Sequence, residues 1–163
     1  MFVHNIFNKF LYKLKIKEFK SKNIEKKLTR NPDTNKGDYG HVLVIAGNLG
    51  FGGAALLSSK GVLASGAGLA TLATRKNHLS AALAYCPEVM AKTVESISDL
   101  ENHLLNKTVI CVGPGLGRNY WADQMLYKAT NFAAKENLPI LIDADGLNIL
   151  SENRLKIKLP KKL

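Results

Sequence analysis

Short apolar runs alternate with glycine-rich or polar segments along most of this chain. The clearest run, HVLVIA at residues 41–46, contains valine and isoleucine and is followed by glycine. Such a run is typical of a strand that is buried on both faces of a sheet. The pattern predicts five strands, at residues 41–46, 69–74, 89–94, 108–112 and 140–142.

The segments between these apolar runs are predicted to be helices. Small apolar residues recur with a helical period from Gly53 to about Ser65. Asn77 is the predicted N-cap of a helix at residues 78–84. Ser98, with Glu101 three residues later, predicts a capping box that opens the next helix, which ends near Asn106.

A long amphipathic helix is predicted at residues 119–136, and a last helical turn at residues 146–150. One side of the long helix carries the apolar residues Trp121, Met125, Ala129 and Phe132, a stripe that indicates core packing rather than cofactor contact. Strands that alternate with helices at this spacing predict a parallel sheet in an α/β sandwich.

Three of the predicted strands end in glycine-rich or acidic segments, AGNLGFGGA at residues 46–54, VGPGLGR at 112–118 and IDADGLN at 142–148. Ligands of open parallel sheets bind in the crevice outside the carboxyl ends of the strands, and glycine lets the backbone approach phosphates closely. The three segments therefore predict a nucleotide-binding enzyme core.

The two common nucleotide fingerprints are absent from the sequence. The first turn reads GxxGxGG rather than GxGxxG, and Ala73-Thr74-Arg75 stands where a dinucleotide-binding acid is expected. There is no GxxxxGK[ST] loop either. The architecture is thus that of a nucleotide site without either usual signature.

The net charge of +10 belongs to the two ends of the 163-residue chain. Residues 1–36 hold ten basic and three acidic residues, residues 152–163 hold five and one, and residues 37–151 hold eight and nine. The neutral middle offers no basic stripe, so we expect no nucleic-acid partner.

The charge pattern and a cluster of turn-forming residues at 28–40 divide the chain into three parts. Residues 1–30 form a basic leader that we expect to be poorly ordered or loosely helical, with attachment to anionic lipid as an alternative. Residues 31–150 form the α/β domain, and residues 151–163 form a basic tail. No apolar stretch approaches the roughly 20 residues of a membrane span. Cys86 and Cys111 lack metal or disulfide spacing, which indicates intracellular thiols and a cytoplasmic protein.

Four sequence blocks closely resemble the ADP-dependent NAD(P)H-hydrate dehydratase family. They are KGDYGHVLVIAGNLGFGGAALLSSKGVLASGAGLATLAT at residues 36–74, PEVM at 87–90, VGPGLGR at 112–118 and LIDADGLN at 141–148. The resemblance implies a ribokinase-like three-layer α/β sandwich with a mostly parallel central sheet, here as a partial domain. It also implies a hydro-lyase that uses ADP or ATP with Mg²⁺. Such an enzyme phosphorylates the hydroxyl of the S-epimer of NADHX or NADPHX and then eliminates phosphate to regenerate NADH or NADPH.

The same resemblance implies that the hydrated dinucleotide contacts Ala54 and Gly115, with helices that open near Gly53 and Asn119 directing their positive ends at phosphate. No metal-ligand spacing is present among the histidines, and we expect His41, His78 and His103 to be structural or exposed. The candidate substrate-binding residues are Ala54, Gly115, Gly53, Gly113, Asp143, Asp145, Asn148 and Lys36.

Several of these assignments have a structural alternative. The first glycine turn could be a plain strand-to-helix connection, and Lys36 could face phosphate or be one more solvated lysine. Asp143 and Asp145 follow a strand, where carboxylates contact a magnesium shell or ligand hydroxyls, but Asp145 could equally cap a helix.

The chain departs from the family after Leu150. The family continues with a PHPGE segment and later a GxGD turn, whose aspartate is the general base and whose main-chain amides hold the nucleotide. Neither motif follows in this sequence, so we assign no catalytic residue and expect this chain alone to be inactive or nearly so. We expect an exposed sheet edge that favours a homo-oligomer or a complementary downstream fragment.

A ribokinase-like small-molecule kinase and a non-catalytic nucleotide-binding remnant remain alternative functions.

Overall fold

Strands and helices alternate through the part of the protein that its structure, a computed structural model, describes, which is residues 32–160. The predicted leader at residues 1–30 lies outside this range. The chain divides into two units, Met1–Thr34 and Asn35–Leu163, and the second unit contains the sheet. Its strands are β1 His41–Ile45, β2 Leu69–Thr74, β3 Met90–Thr93, β4 Val109–Val112 and β5 Ile140–Ile142. Its α-helices are α1 Gly52–Ala64, α2 Leu79–Tyr85, α3 Ile97–Leu104, α4 Tyr120–Glu136 and α5 Asp145–Ser151.

The five strands form one sheet in the order β3-β2-β1-β4-β5. Every neighbouring pair is parallel, and Val44 in the central strand lies opposite Leu72 on one side and Cys111 on the other. Parallel strands need crossovers, and the helices provide them. The predicted α/β sheet is therefore confirmed, and it is wholly parallel.

Helices cover the two faces of the sheet and make a three-layer sandwich. On one face, Leu43 and Ile45 pack with α3, α4 and α5, where Met125 is fully buried. On the other face, Val44 packs with α1 and α2. Successive residues of β1 thus enter different cores, which explains why its sequence is continuously apolar.

The predicted apolar stripe of the long helix faces the first of these cores. Trp121, Met125 and Ala129 are buried, and Phe132 packs against them while partly exposed. The indole Nε1 of Trp121 donates a hydrogen bond of 3.1 Å to the carbonyl oxygen of Val94. The stripe is core packing, as its spacing predicts.

Two predicted helix caps are wrong. The capping box of α3 is formed by Ser96 and Asp99, not by Ser98 and Glu101: the Asp99 N–H donates to Ser96 Oγ at 3.2 Å, and the Ser96 N–H donates to Asp99 Oδ2 at 3.0 Å. Asn77 is no N-cap, because it lies inside a 3₁₀ turn, Lys76–His78, and α2 begins only after it. In residues 32–160 no helix combines the length and hydropathy needed to span a bilayer.

Candidate functional site

The segments that follow β1, β4 and β5 meet at the carboxyl edge of the sheet. The Gly47 N–H donates to the carbonyl oxygen of Pro114 at 3.1 Å, and the Asn48 N–H donates to that of Gly115 at 2.7 Å. These bonds join the turn after β1 to the turn at residues 113–117. The strand polarity brings the segments to one edge, and these main-chain bonds fix their contact.

Any side chain at position 115 would collide with the turn after β1. Its φ is 57°, and a Cβ placed on it would lie 2.8 Å from the carbonyl oxygen of Phe51 and 2.9 Å from the Cβ of Ala54. Gly113, with φ of 130°, has no room either, because a Cβ there would overlap the carbonyl oxygen of Asp143. Ala54 and Gly115, the two residues predicted to touch the dinucleotide, are therefore direct neighbours.

Two longer helices begin at this edge. Helix α1 starts directly after the first turn, and α4 starts after Asn119, whose Oδ1 accepts the Ala122 N–H at 3.1 Å. The first turn of a helix leaves main-chain N–H groups unpaired within the helix and carries a partial positive charge. Gly53, in the first turn of α1, is exposed and has open space around its Cα. The edge is thus suited to anionic groups such as phosphate.

Asn48 is a residue of this edge that the sequence reasoning missed. Its side chain is buried, and its Nδ2 donates to the Leu116 carbonyl and to Asn119 Oδ1, both at 2.9 Å. His78, which the sequence predicts to be structural or exposed, lies beside it, with Nε2 3.0 Å from the Asn48 carbonyl oxygen. The sequence signal at Asn48 is a Gly-Asn pair directly after the first strand, which is typical of a turn but does not indicate the partners of the side chain.

The acidic segment after β5 also reaches the turn at 113–117. Asp145 Oδ2 accepts the Gly117 N–H at 2.9 Å, and Asp145 Oδ1 accepts the Asn148 Nδ2 amide at 3.3 Å. Asp145 is the first residue of α5, whose N-cap is Ala144, so it does not cap that helix in the usual way. Asp143 is exposed at the end of β5.

The position that an acid would occupy in a common dinucleotide site holds Arg75, directly after β2. Its guanidinium pairs with Glu95 at 2.9 Å and lies 5.2 Å from the centre of the Trp121 ring. The Glu95 carboxylate also accepts the Lys76 N–H at 2.9 Å. The arginine charge is therefore largely balanced within the protein and ties the ends of β2 and β3 to α4.

Lys36 lies apart from the other candidate residues. It begins the 3₁₀ turn Lys36–Tyr39, which precedes β1, so it belongs to the amino edge of the sheet. The Leu69 N–H donates to the Gly40 carbonyl at 3.0 Å at this same edge, where β2 also starts. A phosphate-facing role for Lys36 stays a prediction, and within one chain it is not part of the glycine-turn edge.

The described residues show no cluster of three or more His, Cys, Asp or Glu side chains that could hold a metal ion. Asp143 and Asp145 are close in sequence, but both Asp145 oxygens accept hydrogen bonds within the protein. Residues 32–160 therefore do not supply the donor set of a dedicated magnesium site, and we assign no metal ligand.

Comparison with known proteins adds to this geometry. The family model described as NAD(P)H-hydrate dehydratase matches residues 42–162. The chain is 42% identical over 124 residues to a bifunctional NAD(P)H-hydrate repair enzyme, Nnr, of Coxiella burnetii, covering 76% of this chain and 25% of that protein. It is 36% identical over 123 residues to an ADP-dependent (S)-NAD(P)H-hydrate dehydratase of Listeria monocytogenes, covering 76% of this chain and 44% of that protein.

A solved structure shares the fold. The crystal structure of a ribokinase-like superfamily protein of Enterococcus faecalis matches with a TM-score of 0.78 and 30% identity, covering 91% of this chain and 55% of that one. The chain thus spans between a quarter and somewhat more than half of the length of these three relatives.

Proposed function

We infer the function from one premise: this chain belongs to the NAD(P)H-hydrate dehydratase family, whose model matches residues 42–162. We propose that it carries the part of an ADP-dependent (S)-NAD(P)H-hydrate dehydratase that holds the hydrated dinucleotide. The proposed reaction is nucleotide-dependent removal of water from the S-epimer, which regenerates NADH or NADPH. The names of the relatives from Coxiella burnetii and Listeria monocytogenes favour this function over a small-molecule kinase.

One observation supports the proposal most strongly, namely the contact between Gly115 and the start of α1 beside Ala54. Glycine at position 115 lets the turn at residues 113–117 come close to the start of α1, because a Cβ there would lie 2.9 Å from the Cβ of Ala54. A pyrophosphate needs N–H donors, and the first turn of α1 beside this contact has N–H groups that are unpaired within the helix. The proposed ligand edge includes Ala54, Gly115, Gly53, Gly113, Asp143 and Asn148.

We propose ADP or ATP as the co-substrate, because the Listeria monocytogenes relative is named ADP-dependent. Mg²⁺ is proposed with the nucleotide rather than in a protein-built cage, since it is usually bound through substrate phosphates and few carboxylates. The described residues supply no such cage, so none of them is given a step in phosphoryl transfer. We propose a cytoplasmic location.

Binding of NADPH to the purified 163-residue chain tests this proposal. The chain covers 44% of the Listeria monocytogenes relative, so binding is measured before turnover. Titration calorimetry should show saturable binding, and NADPH should raise the thermal unfolding midpoint, because a ligand that binds only the folded state stabilises it. Ala54→Val should weaken binding about tenfold, since its added methyl groups crowd the Gly115 turn.

Ala64→Val is the matched control, because Ala64 is exposed at the other end of the same helix. It should leave NADPH binding unchanged. No binding of NADPH by the unsubstituted chain would contradict the proposal. Binding of a thiazole or pyrimidine alcohol instead of NADPH would favour the small-molecule kinase.

A further inference from the structure

The turn at residues 113–117 depends on support from outside itself. Gly113, Gly115 and Gly117 have φ angles of 130°, 57° and 70°, and glycine reaches many other conformations at little cost. Fixing the backbone of one residue costs conformational entropy, and this cost is larger for glycine than for any other residue. A ligand that binds this turn would have to supply that ordering free energy unless the protein supplies it first.

Asn48 supports the turn from the side of β1. Only 4% of the residue is exposed. Its main-chain N–H donates to the Gly115 carbonyl at 2.7 Å, and its Nδ2 donates to the Leu116 carbonyl at 2.9 Å. The second Nδ2 bond, to Asn119 Oδ1 at 2.9 Å, links the same side chain to the N-cap of α4. An amide nitrogen has two N–H donors, so both are used within the protein.

Asp145 supports the turn from the side of β5. Its Oδ2 accepts the Gly117 N–H at 2.9 Å, a charge-assisted bond of the stronger class. Its Oδ1 accepts the Asn148 Nδ2 amide at 3.3 Å. The carboxylate therefore holds the main chain of Gly117 in place.

We propose that Asn48 and Asp145 are positioning residues that clamp the 113–117 turn from two sides and so pre-order it for the dinucleotide. This inference rests on the proposed function for the identity of the ligand, whereas the clamp itself is independent of any ligand. It assigns Asp145 to holding the Gly117 main chain, in place of contact with a magnesium shell or a ligand hydroxyl.

Paired substitutions separate the two roles of Asp145. Asp145→Ala removes the acceptor of the Gly117 N–H, whereas Asp145→Asn keeps a carbonyl oxygen that can accept it. Asn48→Asp removes both Nδ2 donors. The controls are Glu136→Ala and Asn102→Asp, which change exposed residues of α4 and α3.

Two quantities are measured on the full chain, the dissociation constant for NADPH and the hydrogen-exchange rate of the Gly117 amide by NMR. Asp145→Ala should raise both about tenfold, as expected for the loss of one charge-assisted bond. Asp145→Asn should raise both quantities by about threefold, less than Asp145→Ala does, because it keeps an acceptor for the Gly117 N–H but loses the charge. Asn48→Asp should weaken NADPH binding at least as much as Asp145→Ala, and the two controls should change neither quantity.

Each contrary result has a distinct meaning. If Asp145→Asn loses as much binding as Asp145→Ala while Gly117 exchange is unchanged, Asp145 contacts the ligand and the inference is wrong. Unchanged exchange and binding in Asp145→Ala also overturn it. If Asn48→Asp does not fold, the two Asp145 variants decide. If the unsubstituted chain binds no NADPH, the proposed function fails, and accelerated Gly117 exchange in Asp145→Ala still supports the clamp.

Discussion

At the scale of single residues, Cys111 is a buried thiol close in sequence to the candidate site. It lies in β4, two positions before Gly113, and only 9% of it is exposed. Burial, with a smaller contribution from the charge of Asp143, raises the pKa of the Cys111 thiol from 9.0 to about 11. The thiol is therefore neutral at physiological pH and a poor nucleophile, which argues for packing rather than chemistry.

The raised pKa of Cys111 predicts a loss of stability in alkali. The folded state holds the thiol proton to higher pH than the unfolded state, so this contribution is complete below about pH 9 and is lost as pH rises through about 11. Urea unfolding of the unsubstituted chain and of Cys111→Ala at pH 7.5, 9 and 10.5 measures it. The stability difference between the two should shrink as pH rises, and a difference that stays constant would show that the thiol does not titrate in this way.

At the scale of elements, the start of α3 is decided by one hydroxyl. Ser96 has extended backbone, with φ of −138° and ψ of 169°, and its Oγ accepts the Asp99 N–H. Hydrogen bonds from the N–H groups of Glu95 and Ser96 lower the pKa of Asp99. The carboxylate thus stays charged at the helix N-terminus, where a negative charge is favourable.

Ser96→Ala should lower the free energy of unfolding by about 1 kcal/mol, the usual effect of losing an N-cap side chain. Ser98→Ala is the matched control, because Ser98 is exposed within the first turn of the same helix and should change stability little. Urea denaturation followed by circular dichroism measures both. If Ser98→Ala lowers the free energy of unfolding more than Ser96→Ala does, the capping box that the sequence pattern predicts, Ser98 with Glu101, would be the correct one.

This cap also shows what the sequence could and could not predict. Ser96 with Asp99, and Ser98 with Glu101, each offer a hydroxyl followed three residues later by an acid, and only backbone angles separate them. The strands and the stripe of α4 were predictable because burial imposes their apolar patterns. At Asn77, a local turn replaced the expected cap, and residue preferences do not distinguish the two.

The candidate site was predictable to a similar degree. The carboxyl ends of parallel strands share one edge, so the meeting of the turns near Gly115 followed from topology. The same rule could have shown that Lys36 lies apart from the other candidate residues, because it precedes β1 and so belongs to the opposite edge of the sheet. The bonds of Asn48 and Asp145 were not predictable, because they depend on side-chain positions that no sequence period encodes.

At the scale of the whole molecule, the two faces of the sheet are covered unequally. Cys111 and Leu141 are opposite each other in β4 and β5, and paired residues of neighbouring strands point to the same face. Cys111 is 9% exposed but Leu141 is 54% exposed. On the face of the sheet that carries α1, the helices therefore cover β4 but leave β5 exposed. Within residues 32–160, β5 is also an edge strand that pairs only with β4. An exposed apolar residue on an edge strand favours association.

We therefore expect concentration-dependent self-association of the chain through β5. Burying a leucine contributes about 1.5–3 kcal/mol, so Leu141→Lys should raise the concentration needed for half-association about tenfold or more. Leu105→Lys is the control, because Leu105 is 67% exposed in the loop after α3 and is not part of β5. Sedimentation velocity over a concentration series measures the effect. A chain that stays monomeric at every concentration, or equal effects of the two lysines, would mean that the edge does not drive association.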